Sequence, residues 1–129
     1  MKVTVLGAGA VGSTVGGLLK LHDPTADVTL LARGRHGEEL QHAGKVVLQG
    51  PWGRCDVPIR ASSDVNDLAG SDFVLVTVKS HATEAAIRSA APVLGDAVVI
   101  SIQNGINQRV LRRYVRPQRL LMGLTAMNL

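Results

Sequence analysis

The chain alternates short, continuous apolar runs with stretches whose apolar spacing suits helices. Apolar runs without polar alternation are typical of strands buried on both faces of a parallel sheet, with helices covering those faces. The runs predict strands at Val3–Leu6, Val28–Ala32, Phe73–Val78, Ala97–Ile102 and Leu120–Leu124. The stretches between them predict helices at Ala10–Leu21, His36–Ala43, Ser80–Leu94 and Asn107–Val115. Because crossovers between parallel strands are right-handed, we expect a doubly wound, mostly parallel α/β sheet.

Two regions add detail to this alternation. Lys45–Gln49 and Asp56–Ala61 look extended on either side of a turn rich in glycine and proline, which predicts a hairpin-like insertion. The helix predicted at Ser80–Leu94 carries apolar residues that share one face. These residues are Ala82, Ala85, Ala86, Ala90 and Val93.

Composition narrows the class of protein. With 129 residues, the chain has room for one domain with a sizeable core, and 46% hydrophobic against 19% charged residues excludes a disordered chain. Cys55 is the only cysteine, and no Cys or His pair has the spacing of zinc ligands. A disulfide-stapled secreted scaffold and a structural zinc module are therefore not expected, and a reducing cytoplasm fits best.

The net charge of +4 would suit nucleic acid, an anionic membrane or a phosphorylated small molecule. The basic residues lack the interleaved aromatic residues of a base-stacking surface, which disfavours a nucleic-acid partner. The uncharged stretch Val3–Leu19 contains five glycines and is shorter than the roughly 20 apolar residues that span a bilayer. A strand, a turn and a helix explain this stretch better than a membrane segment.

A glycine motif, GAGAVG, follows the first predicted strand and opens the first predicted helix. In a Rossmann-type fold Gly7 would permit the tight turn, Gly9 would let a pyrophosphate approach the backbone, and Gly12 would let the helix pack on the sheet. The amides at the helix N-terminus would face the phosphates. Glycines that serve tight packing without any ligand are the alternative. The expected cofactor loop is Gly7, Ala8, Gly9, Ala10, Val11 and Gly12.

Arg33 follows the second predicted strand, where a dinucleotide fold places the group that meets the adenosine ribose. An acid at that position selects NAD, whereas a basic residue accommodates the 2′-phosphate of NADP. The second strand contains no acid that could take the ribose role, and Arg35 and His36 follow closely. We therefore expect NADPH or NADP as the cofactor, with a solvated surface arginine as the alternative.

Lys79 and Asn104 follow the next two strands of the predicted sheet. The carboxyl ends of parallel strands meet at one edge, so both residues should share that edge with Gly9 and Arg33. A lysine at a strand end is often only a solvated terminus, and an Asn-Gly pair is often a plain turn. Their joint placement favours a ligand site.

These residues resemble the N-terminal half of the ketopantoate reductase family, the NADPH-dependent 2-dehydropantoate 2-reductases of pantothenate and coenzyme A biosynthesis. The resemblance spans nearly the whole chain and rests on GAGAVG, Arg33, LVTVKSHAT around Lys79, SIQNGI around Asn104, and RLLMGLT after them. It implies that residues 7–12 bind the pyrophosphate and that Arg33 binds the 2′-phosphate. It also implies that Lys79 and Asn104, the candidate catalytic residues, lie near the nicotinamide ribose and the substrate.

The chain departs from that family in two ways. The family commonly carries a glutamine three positions after the lysine, where this chain has Ala82. The family also continues into a helical C-terminal domain that supplies a catalytic lysine acid and a substrate-binding glutamate. We therefore expect residues 1–129 to be the NADP-binding domain of a longer enzyme that reduces ketopantoate, or a similar small 2-keto acid, to the 2-hydroxy acid. Alone, the chain should bind cofactor and catalyse poorly, because the developing alkoxide needs a proton donor.

A second class of function is open at this stage. A nucleotide-sensing Rossmann module, like the regulatory domains attached to ion transporters, would bind a nucleotide without moving a hydride. Such a module has no evident need for Lys79 and Asn104 at the nicotinamide end. Cys55 is expected to be an inert thiol and His81 a helix-surface residue.

Overall fold

The computed structural model describes residues 1–51, 53–103 and 107–123. Strands and helices alternate through most of this part of the chain, as the apolar pattern predicts. In chain order the elements are β1 (Lys2–Leu6), α1 (Ala10–His22), β2 (Asp27–Leu31), α2 (Gly34–Ala43), β3 (Lys45–Gly50), β4 (Gly53–Pro58), β5 (Arg60–Ser62), β6 (Phe73–Val76), α3 (Thr83–Ala90), β7 (Val98–Ser101), α4 (Gln108–Leu111) and β8 (Leu120–Met122). Among these elements no helix has the length and apolar character needed to cross a bilayer.

The main sheet has the strand order β5-β2-β1-β6-β7-β8, and its paired strands run parallel. On one side of β1 the chain adds β2 and then β5. It then adds β6 on the other side of β1, followed by β7 and β8. The direction of winding therefore reverses between β1 and β6, where doubly wound folds hold their ligands. The predicted fold class, a doubly wound parallel α/β sheet of the Rossmann type, is confirmed.

The core forms two apolar clusters, because successive side chains of a buried strand point to opposite faces of the sheet. Val5 and Leu30 belong to the cluster that packs against α1, whereas Val76 and Ile87 belong to the cluster beneath α3. All four side chains are fully buried. Continuous apolar strands are thus explained by helices on both faces.

The hairpin-like insertion is present, but its second segment differs from the prediction. β3 and β4 pair antiparallel, and the ladder ends at the pair Lys45 and Pro58. The prediction of one extended segment over Asp56–Ala61 was wrong, because the chain leaves the hairpin at this proline and then pairs β5 parallel to β2 in the main sheet. Proline has no amide hydrogen with which to continue a ladder. On the hairpin, the Asp56 carboxylate bonds Lys45 Nζ at 2.7 Å, which lowers the pKa of Asp56.

Several element boundaries also differ from the sequence-based expectation. β6 ends at Val76 rather than at residue 78, and β8 ends at Met122, whereas Leu124 lies outside the described residues. The helix predicted at 80–94 consists of a 3-10 turn, α3, and a second 3-10 turn that contains Pro92. Because proline lacks an amide hydrogen, the α-helical ladder cannot continue through it. The helix predicted at 107–115 is α-helical only over Gln108–Leu111.

Candidate functional site

A cleft of about 210 Å³ opens at the carboxyl edge of the sheet, where the winding reverses. Its walls come from the ends of β1, β2 and β6, from one face of α3, and from the segment after β5. The lining residues are Leu6, Gly7, Leu31, Ala32, Arg33, Ser63, Val65, Val78, Ala82, Ala85, Ala86 and Ser89. Most of these side chains are apolar or small, so the cleft can accept a flat, largely apolar group.

Two glycines of the loop are required by the packing of the fold itself. Gly7 turns the chain away from β1 with φ +107°, and a Cβ there would lie 2.5 Å from Val78 Cγ1. Gly12 is buried in the first turn of α1, and its Cβ would lie 2.1 Å from the Gly7 carbonyl oxygen. Real carbon and oxygen atoms do not approach so closely, so a side chain at either position would displace the turn.

Gly9 differs from its two neighbouring glycines. It is exposed, has the ordinary φ of −76°, and a Cβ there would meet no atom of the described residues within 4 Å. Gly9 precedes α1 as its N-terminal residue, and no side chain caps the helix. Ala10 is exposed and Val11 is half-buried in the first turn of α1, whereas Ala8 is buried. The first amides of a helix have no carbonyl partner within it, so this end of α1 can receive an anion.

Two side chains hold the glycine loop through contacts that the sequence did not predict, and one of them is His36, which the sequence had placed near the expected 2′-phosphate. Thr77 Oγ1, just after β6, donates to the carbonyl oxygens of Gly7 and, at 3.3 Å, Leu6. His36 Nε2, in α2, lies 2.5 Å from the carbonyl oxygen of Ala8. These contacts connect the glycine loop to the end of β6 on one side and to α2 on the other. A threonine after an apolar strand and a histidine in a polar helix are too common to reveal such contacts in sequence.

Arg33 lies where the sequence placed it, at the end of β2 and directly before α2, and it lines the cleft. Its Nη2 donates to Ser89 Oγ across the cleft at 3.2 Å. The nearby Arg35 instead pairs with Glu39 at 3.3 Å, and 92% of its side chain is exposed. The structure therefore places one of the two arginines on the cleft.

The predicted apolar face of the third helix is divided between two surroundings. Ala90 is fully buried and Val93 packs against the core. Ala82, Ala85 and Ala86 line the cleft; of these, Ala85 is exposed and Ala86 also packs against the core. A hydrophobic pattern cannot tell these surroundings apart, because small alanine side chains suit both a helix packed on a sheet and the wall of a cleft.

Lys79 is exposed and begins the 3-10 turn that precedes α3, three residues after β6 ends. It therefore lies on the loop at the carboxyl edge of β6. Asn104 lies outside the described residues. The residues before and after its segment, Gln103 and Asn107, are buried and hydrogen-bonded to residues beside Lys79.

Other candidate chemistry is sparse in the described ranges. Within 1–51, 53–103 and 107–123 no three His, Cys, Asp or Glu side chains come together as a metal site. Cys55 is half-buried in β4 and unpaired, and His81 is exposed.

The reversed strand order, the glycine turn and the helix N-terminus beside the cleft define a Rossmann-type α/β domain. The chain belongs to the ketopantoate reductase PanE/ApbA family, whose model matches residues 3–129. The 2-dehydropantoate 2-reductase of Pyrococcus horikoshii is 40% identical over 106 residues, which make up 82% of this chain and 34% of that protein.

Solved structures agree with this membership. The crystal structure of the PanE/ApbA family ketopantoate reductase from Ralstonia eutropha JMP134 superposes with a TM-score of 0.82 and 35% identity, over 96% of this chain and 40% of that one. A ternary complex of D-mandelate dehydrogenase with NADH has the same fold, with a TM-score of 0.83 and 19% identity, over 99% of this chain and 41% of that one. The chain thus spans 34% to 41% of the length of these three relatives.

Proposed function

We propose that this chain forms the NADPH-binding part of an oxidoreductase that reduces 2-dehydropantoate, or a similar small 2-keto acid, to the 2-hydroxy acid. The observation that carries the proposal is the open space over Gly9 at the N-terminus of α1, at the reversal of the winding and at the same edge of the sheet as Arg33. The name 2-dehydropantoate 2-reductase, given to relatives at up to 40% identity, supports this substrate class.

The residues present fit a dinucleotide. A pyrophosphate would occupy the space over Gly9 and accept hydrogen bonds from the first amides of α1, which the helix dipole strengthens. The adenosine end would enter the cleft lined by Ala82, Ala85 and Ala86, and the Arg33 guanidinium at its rim would bind a 2′-phosphate. Lys79, on the loop at the end of β6, would orient the nicotinamide half.

A bound NADPH would supply the hydride for the keto carbon, and the keto oxygen would then need a proton. The contribution of this chain is to bind and orient the reactants. The resemblance to the family implies a catalytic lysine acid in its helical C-terminal domain. We therefore propose that the proton donor belongs to that domain.

NADPH should bind this chain more tightly than NADH, and Arg33→Ala should weaken NADPH alone. A hydrogen bond to a charged group contributes about 1.5 to 3 kcal/mol, which corresponds to roughly 10- to 150-fold in affinity. Calorimetric titration of both cofactors against wild type and variant measures this.

Arg35→Ala is the matched control for Arg33→Ala. It removes the same charge two residues further on, from a side chain that pairs with Glu39 and is 92% exposed. This substitution should change the affinity for NADPH by less than about twofold, because exposed charges are screened by salt. Equal affinities of the wild type for NADPH and NADH would contradict the assignment of Arg33.

A further inference from the structure

A buried amide lies beside the proposed nicotinamide half of the site. Gln103 follows β7 by two residues, and only 5% of it is exposed. Its Nε2 donates to the Val78 carbonyl oxygen at 2.7 Å and to Thr83 Oγ1 at 2.6 Å. Its Oε1 accepts a hydrogen bond from Ser101 Oγ at 3.0 Å. Both amide hydrogens and the amide oxygen of Gln103 therefore have partners.

From Thr83 the hydrogen-bond network continues to Asn107 and then to Ser80, each residue donating to the next. The Thr83 hydroxyl accepts from Gln103, so its single hydrogen is free to donate to Asn107 Oδ1 at 3.3 Å. Asn107 Nδ2 in turn donates to Ser80 Oγ at 3.3 Å. Thr83 is fully buried and 4% of Asn107 is exposed, so the bond between them lies out of water, whereas the bond from Asn107 to the exposed Ser80 is partly buried. Buried polar networks with every member paired specify a single geometry.

The partners of this network surround Lys79 in sequence. Val78 and Ser80 are its immediate neighbours, and Thr83 begins the helix that its loop enters. Lys79 itself is exposed, and its carbonyl oxygen accepts from the Ala82 amide at 2.8 Å. A long, exposed lysine side chain has many rotamers, so the position of its backbone determines where the ammonium group can reach.

We infer that Gln103 is a positioning residue for Lys79, acting through Val78, Thr83 and Asn107. A buried apolar residue of similar size would fill the same volume without the cost of burying an amide. What only the amide provides is a rigid connection from the end of β7 to the loop after β6. The inference rests on the proposed function, because it assigns that connection to the nicotinamide half of an NADPH site.

The test compares two nucleotides on Gln103→Met, which keeps the volume and removes the hydrogen bonds. NADPH reaches the nicotinamide half of the site, whereas adenosine 2′,5′-bisphosphate carries the adenosine with its 2′- and 5′-phosphates and has no nicotinamide half. In calorimetric titrations we expect Gln103→Met to lower the affinity for NADPH about tenfold. The affinity for the bisphosphate should change by less than about twofold. Hydrogen–deuterium exchange of the free protein should become faster over residues 79–83.

Thr4→Val is the matched control. It removes a buried hydrogen bond of the same sheet, between Thr4 Oγ1 and Ser71 Oγ at 2.7 Å, towards the opposite edge from the cleft. A comparable loss of thermal stability is expected, with both nucleotides bound as in the wild type and with unchanged exchange over residues 79–83. This control separates positioning from general destabilisation.

Two further variants keep the inference testable if Gln103→Met fails to fold. Thr83→Ser retains the hydroxyl and should bind NADPH like the wild type. Thr83→Val removes the hydroxyl and should lower the affinity for NADPH about tenfold. Lys79→Ala should weaken NADPH similarly. Because Gln103 is inferred to act through Lys79, Gln103→Met should add little to the loss in a Lys79→Ala background.

Three outcomes would overturn the inference while leaving the proposed function standing. These are unchanged NADPH affinity in Gln103→Met and Thr83→Val, an equal loss for both nucleotides, and additive losses with Lys79→Ala. A wild-type chain that binds neither NADPH nor the bisphosphate would instead contradict the proposed function. In that case the hydrogen–deuterium exchange of the free protein still tests the inference. If Gln103→Met exchanged at the wild-type rate over residues 79–83, the Gln103 side chain would not hold this loop.

Discussion

Gly9→Val abolishes NADPH binding and leaves the protein folded; this is the expected result of filling the open space at the start of α1. A Cβ at Gly9 meets nothing within 4 Å among the described residues, and its φ of −76° suits any amino acid. The fold should therefore tolerate valine. A pyrophosphate that approaches the α1 amides would meet the branched side chain directly. Circular dichroism, thermal denaturation and a calorimetric NADPH titration measure the two effects separately.

Two comparisons make the Gly9 result specific. Ala69→Val adds bulk at an exposed position in the turn before β6 and should leave NADPH affinity unchanged. Gly12→Ala adds a single methyl 2.1 Å from the Gly7 carbonyl oxygen and should destabilise the fold by several kcal/mol, as overpacking against backbone does. Wild-type NADPH affinity in a folded Gly9→Val protein would show that this loop is not the phosphate site.

A protein that joins residues 1–129 to a helical C-terminal domain of the family is expected to reduce 2-keto acids with NADPH, whereas residues 1–129 alone give negligible turnover. The physical reason is that the developing alkoxide needs a proton donor held within reach, and the proposed donor belongs to the C-terminal domain. In the joined protein, Lys79→Ala and Asn104→Ala should each lower kcat/KM about tenfold or more, by loss of positioning in the ternary complex. Steady-state NADPH oxidation over a panel of 2-keto acids measures these effects.

Arg35→Ala serves as the control for the kinetic variants, since its exposed side chain pairs with Glu39. Robust turnover by residues 1–129 alone would refute the need for a second domain. A joined protein that binds NADPH yet reduces none of the keto acids would favour a nucleotide-sensing module, in which binding shifts a conformational equilibrium without hydride transfer.

The apolar pattern and a few special residues were enough to determine the fold class and to predict the edge of the sheet at which the candidate site lies. Short continuous apolar runs that alternate with helical stretches are typical of strands covered on both faces, so they predict the parallel sheet and its two layers of helices. Gly7 and Gly12 carry a local signal, since their backbone leaves no room for a side chain. Arg33 could be placed because it directly follows a strand whose end the pattern marks.

Only the tertiary structure decided which groups meet across the sheet. Thr77, about 70 residues away in sequence, donates hydrogen bonds to the glycine loop. The Gln103 side chain connects the end of β7 to the loop after β6 by a hydrogen bond. Ala85 and Ala86 of α3 line the cleft whereas Ala90 of the same helix lies in the core, and the segment after Pro58 joins the main sheet rather than the hairpin. Hydrophobic periodicity records that a position is apolar but not which surface it faces, and a hydrogen bond between distant segments leaves no spacing in the sequence. These contacts are products of strand order and packing, which is why the sequence alone did not predict them.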